Sequence, residues 1–283
     1  MNSILVPSDF SDNATAALRY AILLSREFKT SLIVFHCSHI SAYALTGAGT
    51  EEKMRLLIKE DEQNKMEKLQ KQVNKAYKYL DIKEIPATTK CLVEYNPMVV
   101  ENTIDVALQY NADLIIMGTH GATGIKKFFF GSNTSIMISK SPVPVLAIPD
   151  NYKFSPWKSI VFSSDLQNLA QELNKLIPFA KSSETLLEIL YLDYGIDLDD
   201  KKTNQAEALI KNMPYKKIQL VKQKATIESS LVAQVKKYIT KNKPDCLVMF
   251  TRERSLWDRL FRGSKTEDMS TALNVPLLSF KKV

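Results

Sequence analysis

Short apolar runs alternate with longer amphipathic stretches along the first half of the chain. Apolar runs bounded by turn residues predict strands, and apolar positions at helical spacing predict helices. The predicted strands are Ser3–Val6, Ser31–His36, Thr88–Val93, Asp113–Met117 and Val143–Ile148, and the predicted helices are Ala14–Phe28, Glu51–Leu80, Asn96 to about Tyr110, and Ser132–Ser139. Asn96 and Pro97 provide an N-cap and a first-turn proline for the third helix. Nearly unbroken aliphatic strands between helices indicate a parallel sheet covered on both faces.

The second half repeats this order of elements. Three landmarks recur at an offset of 132 residues: Asp113–Met117 as Asp245–Met249, Gly131-Ser132 as Gly263-Ser264, and Val143–Leu146 as Val275–Leu278. The first strands, Ile4–Asp9 and Ile160–Asp165, match at an offset of 156, because the second copy has a shorter middle helix, at about Lys202–Asn212. Shared offsets of this kind predict a duplicated α/β domain, with residues 1–149 and 159–283 joined by a linker at 150–158.

Glycine is concentrated in one loop. The chain has 8 glycines, and four of them (Gly118, Gly121, Gly124 and Gly131) lie within fourteen residues. Gly118 and Gly121 follow a predicted buried strand, where glycine permits positive φ and close approach of the backbone to a ligand. Gly131-Ser132 opens the next helix, whose free N–H groups favour an anion. The spacing fits neither a Walker loop nor the dinucleotide fingerprint. A phosphate cradle and an ordinary glycine-rich turn with an N-cap both remain open.

Composition and charge narrow the possible partners. The chain is 45% apolar and 24% charged, which is typical of a globular protein. Its formal charge of +7 comes mostly from scattered lysines, so we expect no nucleic-acid groove. No apolar run is long enough for a membrane span and no signal peptide is recognisable. Cys37, Cys91 and Cys246 lie far apart in apolar runs and are expected to be reduced core residues, which favours the cytoplasm.

The glycine loop resembles the nucleotide-binding motif of the universal stress protein family. The resemblance rests on Gly118-x-x-Gly121, nine residues and then Gly131-Ser132, on the Met117–Gly121 run, on Pro7-Ser8-Asp9 after the first strand, and on a Val-Pro-Val last strand. It covers residues 1–149 and, more weakly, the second copy. It implies two Rossmann-like (adenine-nucleotide α-hydrolase-like) domains, each a five-stranded parallel sheet with helices on both faces. It also implies ATP bound between the ends of the first and fourth strands.

The resemblance implies a role for each matching residue. Asp9 would accept a ribose hydroxyl, Cys37 would line the adenine pocket and Met117 would border the nucleoside. Pro7 and Ser8 would shape the wall beside the adenosine. The residues expected around the phosphates are Gly118, His120, Gly121, Gly131, Ser132 and Thr134, with Asn133 departing from the small apolar residue of the family. Asp9 and Ser132 can also act as helix caps, and Cys37 can equally be a core residue.

The second copy lacks the two loop glycines. Gly118 and Gly121 correspond to Phe250 and Glu253. We expect the Phe250 ring to occupy the space where backbone must approach phosphate, and the Glu253 charge to repel an anion. The second copy is therefore predicted not to bind ATP. Its last strand and that of the first copy are apolar and carry prolines, which suits sheet edges. The resemblance implies pairing through this strand, so we expect an internal pseudo-dimer docked edge to edge, with a homodimer as a further option.

The leading functional hypothesis is an ATP-binding stress-response protein with a regulatory role. We expect no catalytic residue, because His120 has no evident acid or base partner. Magnesium can accompany the phosphates, but no dedicated carboxylate cage is visible and no metal site is predicted. The alternatives are a slow ATPase or phosphotransferase, and an interaction scaffold that binds no nucleotide.

Overall fold

A computed structural model describes residues 1–40, 49–119, 131–150, 152–195, 198–251 and 275–281. The strands are β1 (Ser3–Pro7), β2 (Ser31–Ser38), β3 (Thr89–Tyr95), β4 (Leu114–Gly118), β5 (Val145–Ile148), β6 (Ser159–Ser163), β7 (Leu186–Asp193), β8 (Ile218–Lys224), β9 (Cys246–Thr251) and β10 (Leu277–Lys281). The helices are α1 (Asp12–Phe28), α2 (Glu51–Tyr79), α3 (Val99–Gln109), α4 (Ser132–Lys140), α5 (Leu169–Lys181), α6 (Leu198–Asn212) and α7 (Leu231–Asn242).

The strands form one ten-stranded sheet in the order β3-β2-β1-β4-β5-β10-β9-β6-β7-β8. All pairings within each half are parallel, and each half uses the same strand order. The halves join where β5 and β10 run antiparallel, with Leu278 opposite Leu146. The predicted edge-to-edge docking of the two copies is therefore confirmed, and each copy contributes five parallel strands.

Helices cover both faces of the sheet, as the unbroken apolar strands predict. One face, called face A here, packs against α1, α2, α5 and α6, and buries side chains such as Val6 and Ile116. The other, face B, packs against α3, α4 and α7, and buries Leu5 and Met117. Alternate residues of each strand thus serve different cores. None of the helices in the described ranges is long and apolar enough to cross a membrane.

Helix α3 begins later than predicted. Its N-cap is Met98, which makes no side-chain cap. The Asn96 side chain instead accepts the Met98 N–H at 2.9 Å, which is an Asx turn ahead of the helix. The prediction of Asn96 as the N-cap was therefore wrong. An asparagine side chain can accept a nearby backbone N–H either at a helix N-terminus or in a turn, and in this chain it stabilises the turn before the helix.

The segment predicted as a linker is packed into the core. Trp157 is 1% exposed, and its indole Nε1 donates a hydrogen bond of 2.7 Å to the Tyr20 hydroxyl in α1. Phe154 lies edge-on to the Tyr20 ring at 5.0 Å. Because a buried indole N–H needs a partner, this bond fixes where the chain crosses from one half to the other.

Candidate functional site

Three elements of the first half meet at Gly118, the last residue of β4. The Thr134 hydroxyl of α4 donates to the Gly118 carbonyl at 2.9 Å. The Gly131 N–H, at the N-cap of α4, donates to the Thr119 carbonyl at 2.6 Å. On the other side lies Asn13, in the first turn of α1, whose carbonyl oxygen would be 2.9 Å from a Cβ added at Gly118. The first turn of α1, the end of β4 and the start of α4 thus meet at this position.

Gly118 is required for packing rather than for a left-handed backbone. Among the described residues, positive φ at glycine occurs at Gly49 and Gly195, and not at Gly118. Position 118 therefore does not use the positive φ that glycine permits. A side chain there would collide with the Asn13 backbone, so glycine allows α1 to approach β4 closely. The close approach is to the protein's own helix.

The β1–α1 turn carries Ser8 and Asp9. The Ser8 hydroxyl accepts the Phe10 N–H at 3.1 Å, and Asp9 Oδ1 accepts the Ser11 N–H at 3.0 Å. Phe10 has a φ of 65°, an uncommon conformation for a bulky residue. Helix α1 is capped by Ser11, whose hydroxyl accepts the Ala14 N–H. Asp9 thus orders the turn before the helix and is not its N-cap.

The second half contains the same turn. Ser164 accepts the Leu166 N–H at 3.0 Å, Asp165 Oδ1 accepts the Gln167 N–H at 3.0 Å, and Leu166 has a φ of 62°. The turn has therefore been kept in a copy that lacks the loop glycines. Asp9 and Asp165 thus have the same structural role in the turn of each half, independent of any ligand.

Cys37 and Met117 lie on face B near the carboxyl ends of their strands. Both are buried, at 9% exposure each. The Cys37 thiol lies 3.3 Å from the Asn96 carbonyl oxygen and 3.6 Å from Nδ2 of Asn102 in α3. Burial raises the pKa of the Cys37 thiol, so this cysteine is a neutral core group rather than a reactive thiolate. Pro7, half-buried at the end of β1, belongs to the same face by strand alternation.

The first two residues of α4 are exposed. Its N-cap is Gly131, which provides no side-chain cap. Ser132 and Asn133 are exposed, whereas Thr134 is 3% exposed and its hydroxyl is bonded to Gly118. A helix N-terminus presents N–H groups and a partial positive charge, so this end is suited to an anion.

Two predicted site residues, His120 and Gly121, lie outside the described residues, as do Glu253 and Gly263-Ser264 of the second copy. The remaining predicted residues of the first copy are all described, and the structure places them around the carboxyl ends of β1, β2 and β4. Within the described ranges, no group of three or more His, Cys, Asp or Glu side chains is arranged to hold a metal ion.

Phe250 does not extend into a cleft. Its ring is 7% exposed in the face A core, stacked on Phe280 at 4.8 Å and in edge contact with Phe162 at 5.3 Å. The expectation that this ring occupies the approach to a phosphate was wrong, because position 250, like 118, points toward the helices of face A. The glycine-to-phenylalanine difference therefore changes how the sheet packs on that face.

A polar cluster on face A escaped sequence analysis. His36 Nδ1 lies 2.7 Å from the Ser8 carbonyl oxygen, and the Ser8 hydroxyl donates to Gln72 Oε1 of α2 at 2.7 Å. Burial lowers the pKa of His36 below its ordinary value. Two features of the sequence could have revealed this cluster. His36 follows Leu32 and Val34 in the strand alternation, which places it on face A, and Gln72 lies next to Leu69 and Val73 of α2, which are buried on the same face.

Comparison with known proteins agrees with this architecture. A family model described as the universal stress protein family matches residues 1–149. Universal stress proteins MJ0577 and MJ0531 of Methanocaldococcus jannaschii are 30% and 27% identical, and each match covers 51% of this chain and 93% or 80% of the relative.

Solved structures share the fold over the whole chain. A universal stress protein from Archaeoglobus fulgidus matches with a TM-score of 0.68 and 18% identity, over 99% of this chain and 98% of that one. A putative universal stress protein from Pseudomonas aeruginosa matches with a TM-score of 0.60 and 13% identity, over 99% and 93%. With the family model covering more than half of its residues, the chain belongs to the universal stress protein family.

Proposed function

We propose that this chain is a regulatory, ATP-binding stress-response protein that holds one nucleotide in its first half. The observation that carries this proposal is the convergence at Gly118 of three elements: the first turn of α1, which directly follows the Asp9 turn, the end of β4, and the N-terminus of α4, whose N-cap Gly131 makes no side-chain cap. A ligand with a sugar at one end and phosphates at the other suits a site with a carboxylate turn on one side and a helix N-terminus on the other. The carboxyl edge of a parallel sheet is also where α/β folds bind ligands.

Each described residue then has a role that its position supports. The α4 N-terminus, with Gly131, Ser132 and Asn133, would receive phosphate oxygens. Asp9 would accept a ribose hydroxyl, while its Oδ1 keeps the turn through Ser11. Cys37 and Met117 would form the apolar floor beside the base, since both lie on face B. Gly118 and Thr134 would act by holding the surrounding elements together. Any magnesium would arrive with the phosphates.

We place the nucleotide in residues 1–149 and treat residues 159–283 as a degenerate copy. Support comes from the sequence of the second copy, which has Phe250 and Glu253 in place of the two loop glycines, Gly118 and Gly121. The charge of Glu253 adds repulsion if it lies near an anion. One ATP per chain is the expected stoichiometry.

Regulation is proposed rather than rapid turnover. The described histidine near the turn, His36, bonds the Ser8 carbonyl oxygen, and Asp9 bonds a backbone N–H. Nucleotide binding would instead bias the arrangement of the elements that meet at Gly118.

Isothermal titration with ATP tests the site through two matched variants. Asp9→Asn and Asp165→Asn keep an oxygen for the Asx turn but remove the charge, one in each half. Loss of a hydrogen bond to a charged group weakens binding by about tenfold or more, so Asp9→Asn should raise the Kd while Asp165→Asn should leave it unchanged. Gly118 variants are unsuitable, because they disturb the packing of α1.

The same titration gives the stoichiometry, and mass spectrometry of gently purified protein identifies any nucleotide already bound. No ATP binding by the wild-type chain would refute the function. Two ATP molecules per chain, or equal losses in both variants, would refute the assignment to the first half.

A further inference from the structure

The polar cluster on face A lies directly beneath the Asp9 turn. The Ser8 carbonyl and the Asp9 N–H belong to one planar peptide unit. A carbonyl oxygen only accepts hydrogen bonds, so His36 Nδ1 carries the hydrogen in the 2.7 Å contact with Ser8. This bond fixes the orientation of that peptide plane, and with it the direction in which the Asp9 Cα presents its carboxylate.

Helix α2 holds the Ser8 side chain. Gln72 Oε1 accepts from the Ser8 hydroxyl at 2.7 Å, while Gln72 Nε2 donates to Thr15 Oγ1 of α1 at 2.8 Å. The Ser8 hydroxyl in turn accepts the Phe10 N–H. Ser8 is 6% exposed and engaged on face A, away from Cys37 and Met117. Its hydroxyl is therefore a support for the turn rather than part of the wall facing a ligand.

The Phe10 ring, which follows Asp9 in the turn, is contacted from two sides. The His36 ring lies 4.3 Å from the Phe10 ring, and the Lys68 ammonium of α2 lies 4.2 Å from the same ring. The cluster thus contacts residues on both sides of Asp9: Ser8 before it, through hydrogen bonds, and Phe10 after it, through its ring.

The second half supports its turn differently. Ser164 donates to Glu172 of α5, the helix that follows it, at 3.1 Å. Strand alignment places Tyr191 at the position of His36, since Ser31 and Leu186 pair with the equivalent Ser3 and Ser159. Among the described residues of the second half, the counterpart of the Ser8–Gln72 bond is thus the Ser164–Glu172 bond, and a tyrosine stands in the place of His36.

We propose that His36 and Gln72 are positioning residues that fix the Asp9 carboxylate for the sugar of a bound adenine nucleotide. This rests on the proposed function, because it assumes that ATP binds beside Asp9. His36 touches no ligand in this scheme and acts through the Ser8–Asp9 peptide. The two positioning residues also contact the neighbouring elements: Gln72 bonds Thr15 of α1, and His36 packs against Phe10 of the turn.

Two substitutions of His36 separate the hydrogen bond from the ring. His36→Asn keeps a donor near the position of Nδ1 but removes the ring, and His36→Phe keeps the ring beside Phe10 but removes the donor. Loss of one neutral hydrogen bond corresponds to about fivefold in affinity. Titration with ATP should show about a fivefold increase in Kd for His36→Phe and less than about a twofold change for His36→Asn. The exposed His39→Asn serves as the control.

A double-mutant cycle distinguishes positioning from general destabilisation. In an Asp9→Asn background, His36→Phe should change the Kd by less than about twofold, because the group that it positions has lost its charge. A full fivefold loss in that background would overturn the proposal. If His36→Phe does not fold, Gln72→Met takes its place in the cycle, with the same expected coupling to Asp9.

Failure of this inference is distinguishable from failure of the proposed function. If the wild-type chain binds no ATP, the function fails and the inference with it. If the wild-type chain binds ATP and both His36→Phe and Gln72→Met retain its Kd within about twofold, the function stands and the positioning role is refuted.

Discussion

Replacing Gly118 by alanine tests whether close packing of α1 on β4 explains this glycine. The added Cβ would lie 2.9 Å from the carbonyl oxygen and 3.1 Å from the carbonyl carbon of Asn13. To restore an ordinary contact, the first turn of α1 must move by about 0.5 Å. The obstacle is backbone, so no side-chain rotation can relieve it.

The expected cost follows from comparing two opposing effects. Gly118 has no positive φ, so alanine is conformationally compatible and would stabilise the protein by about 0.4–1 kcal/mol in open space. Overpacking in a well-packed core costs about 1–3 kcal/mol. We therefore expect net destabilisation of up to about 2–3 kcal/mol, and a Tm lowered by about 2–4 °C for each kcal/mol.

The assay is thermal and urea unfolding of nucleotide-free protein, because bound ligand would add its own stabilisation. Gly195→Ala is the control: nothing lies within 4 Å of its added Cβ, but its φ of 73° makes alanine strained. It should cost about 1 kcal/mol from conformation alone. A Gly118→Ala variant as stable as the wild type, or more stable, would refute the packing explanation.

Three further predictions concern the core and the polar cluster. Tyr20→Phe removes the partner of the buried Trp157 indole N–H and should cost about 1–3 kcal/mol in urea unfolding, whereas an unchanged midpoint would show that the indole finds another acceptor. Burial lowers the pKa of His36 in the folded state. The neutral, hydrogen-bonded His36 therefore contributes its full stabilisation above the unfolded pKa of about 6.5, and this stabilisation is lost as the pH falls through the folded pKa. His36→Asn should therefore reduce the loss of stability between about pH 7 and pH 5, and an identical pH profile would contradict this assignment. Phe250→Ala should lower the free energy of unfolding by about 3–5 kcal/mol, because it removes a buried ring. It should not create a second ATP site, and a second ATP bound in titration would show that the size of the ring alone excludes the nucleotide.

Much of the fold could be predicted because strand and helix patterns are local. The aliphatic run of β4 and its repeat in β9 gave the parallel sheet, and the shared offsets gave the duplication. The edge character of the last strands, together with the family resemblance, predicted the β5–β10 docking. The start of α3 was missed because Asn96 can form an Asx turn or an N-cap with equal local chemistry.

The candidate site was only partly predictable. Motif spacing located Asp9, Gly118 and Gly131 in the chain, and the structure brings their elements together. The meaning of Gly118 was different from the expectation, because the close neighbour is Asn13, 105 residues earlier in the chain. His36 and Gln72 carry no motif, since their partnership with Ser8 depends on which helix crosses which strand.

The sequence by itself determined the order of elements, the duplication and the family, because each depends on residue types at fixed spacings. Tertiary structure alone decided which face each strand residue serves. It placed the Gly118 position and the Phe250 ring toward the helices of face A, and it brought His36 beneath the Asp9 turn. The physical reason is that a side chain's neighbours are set by helix packing across the sheet, which joins residues far apart in the chain.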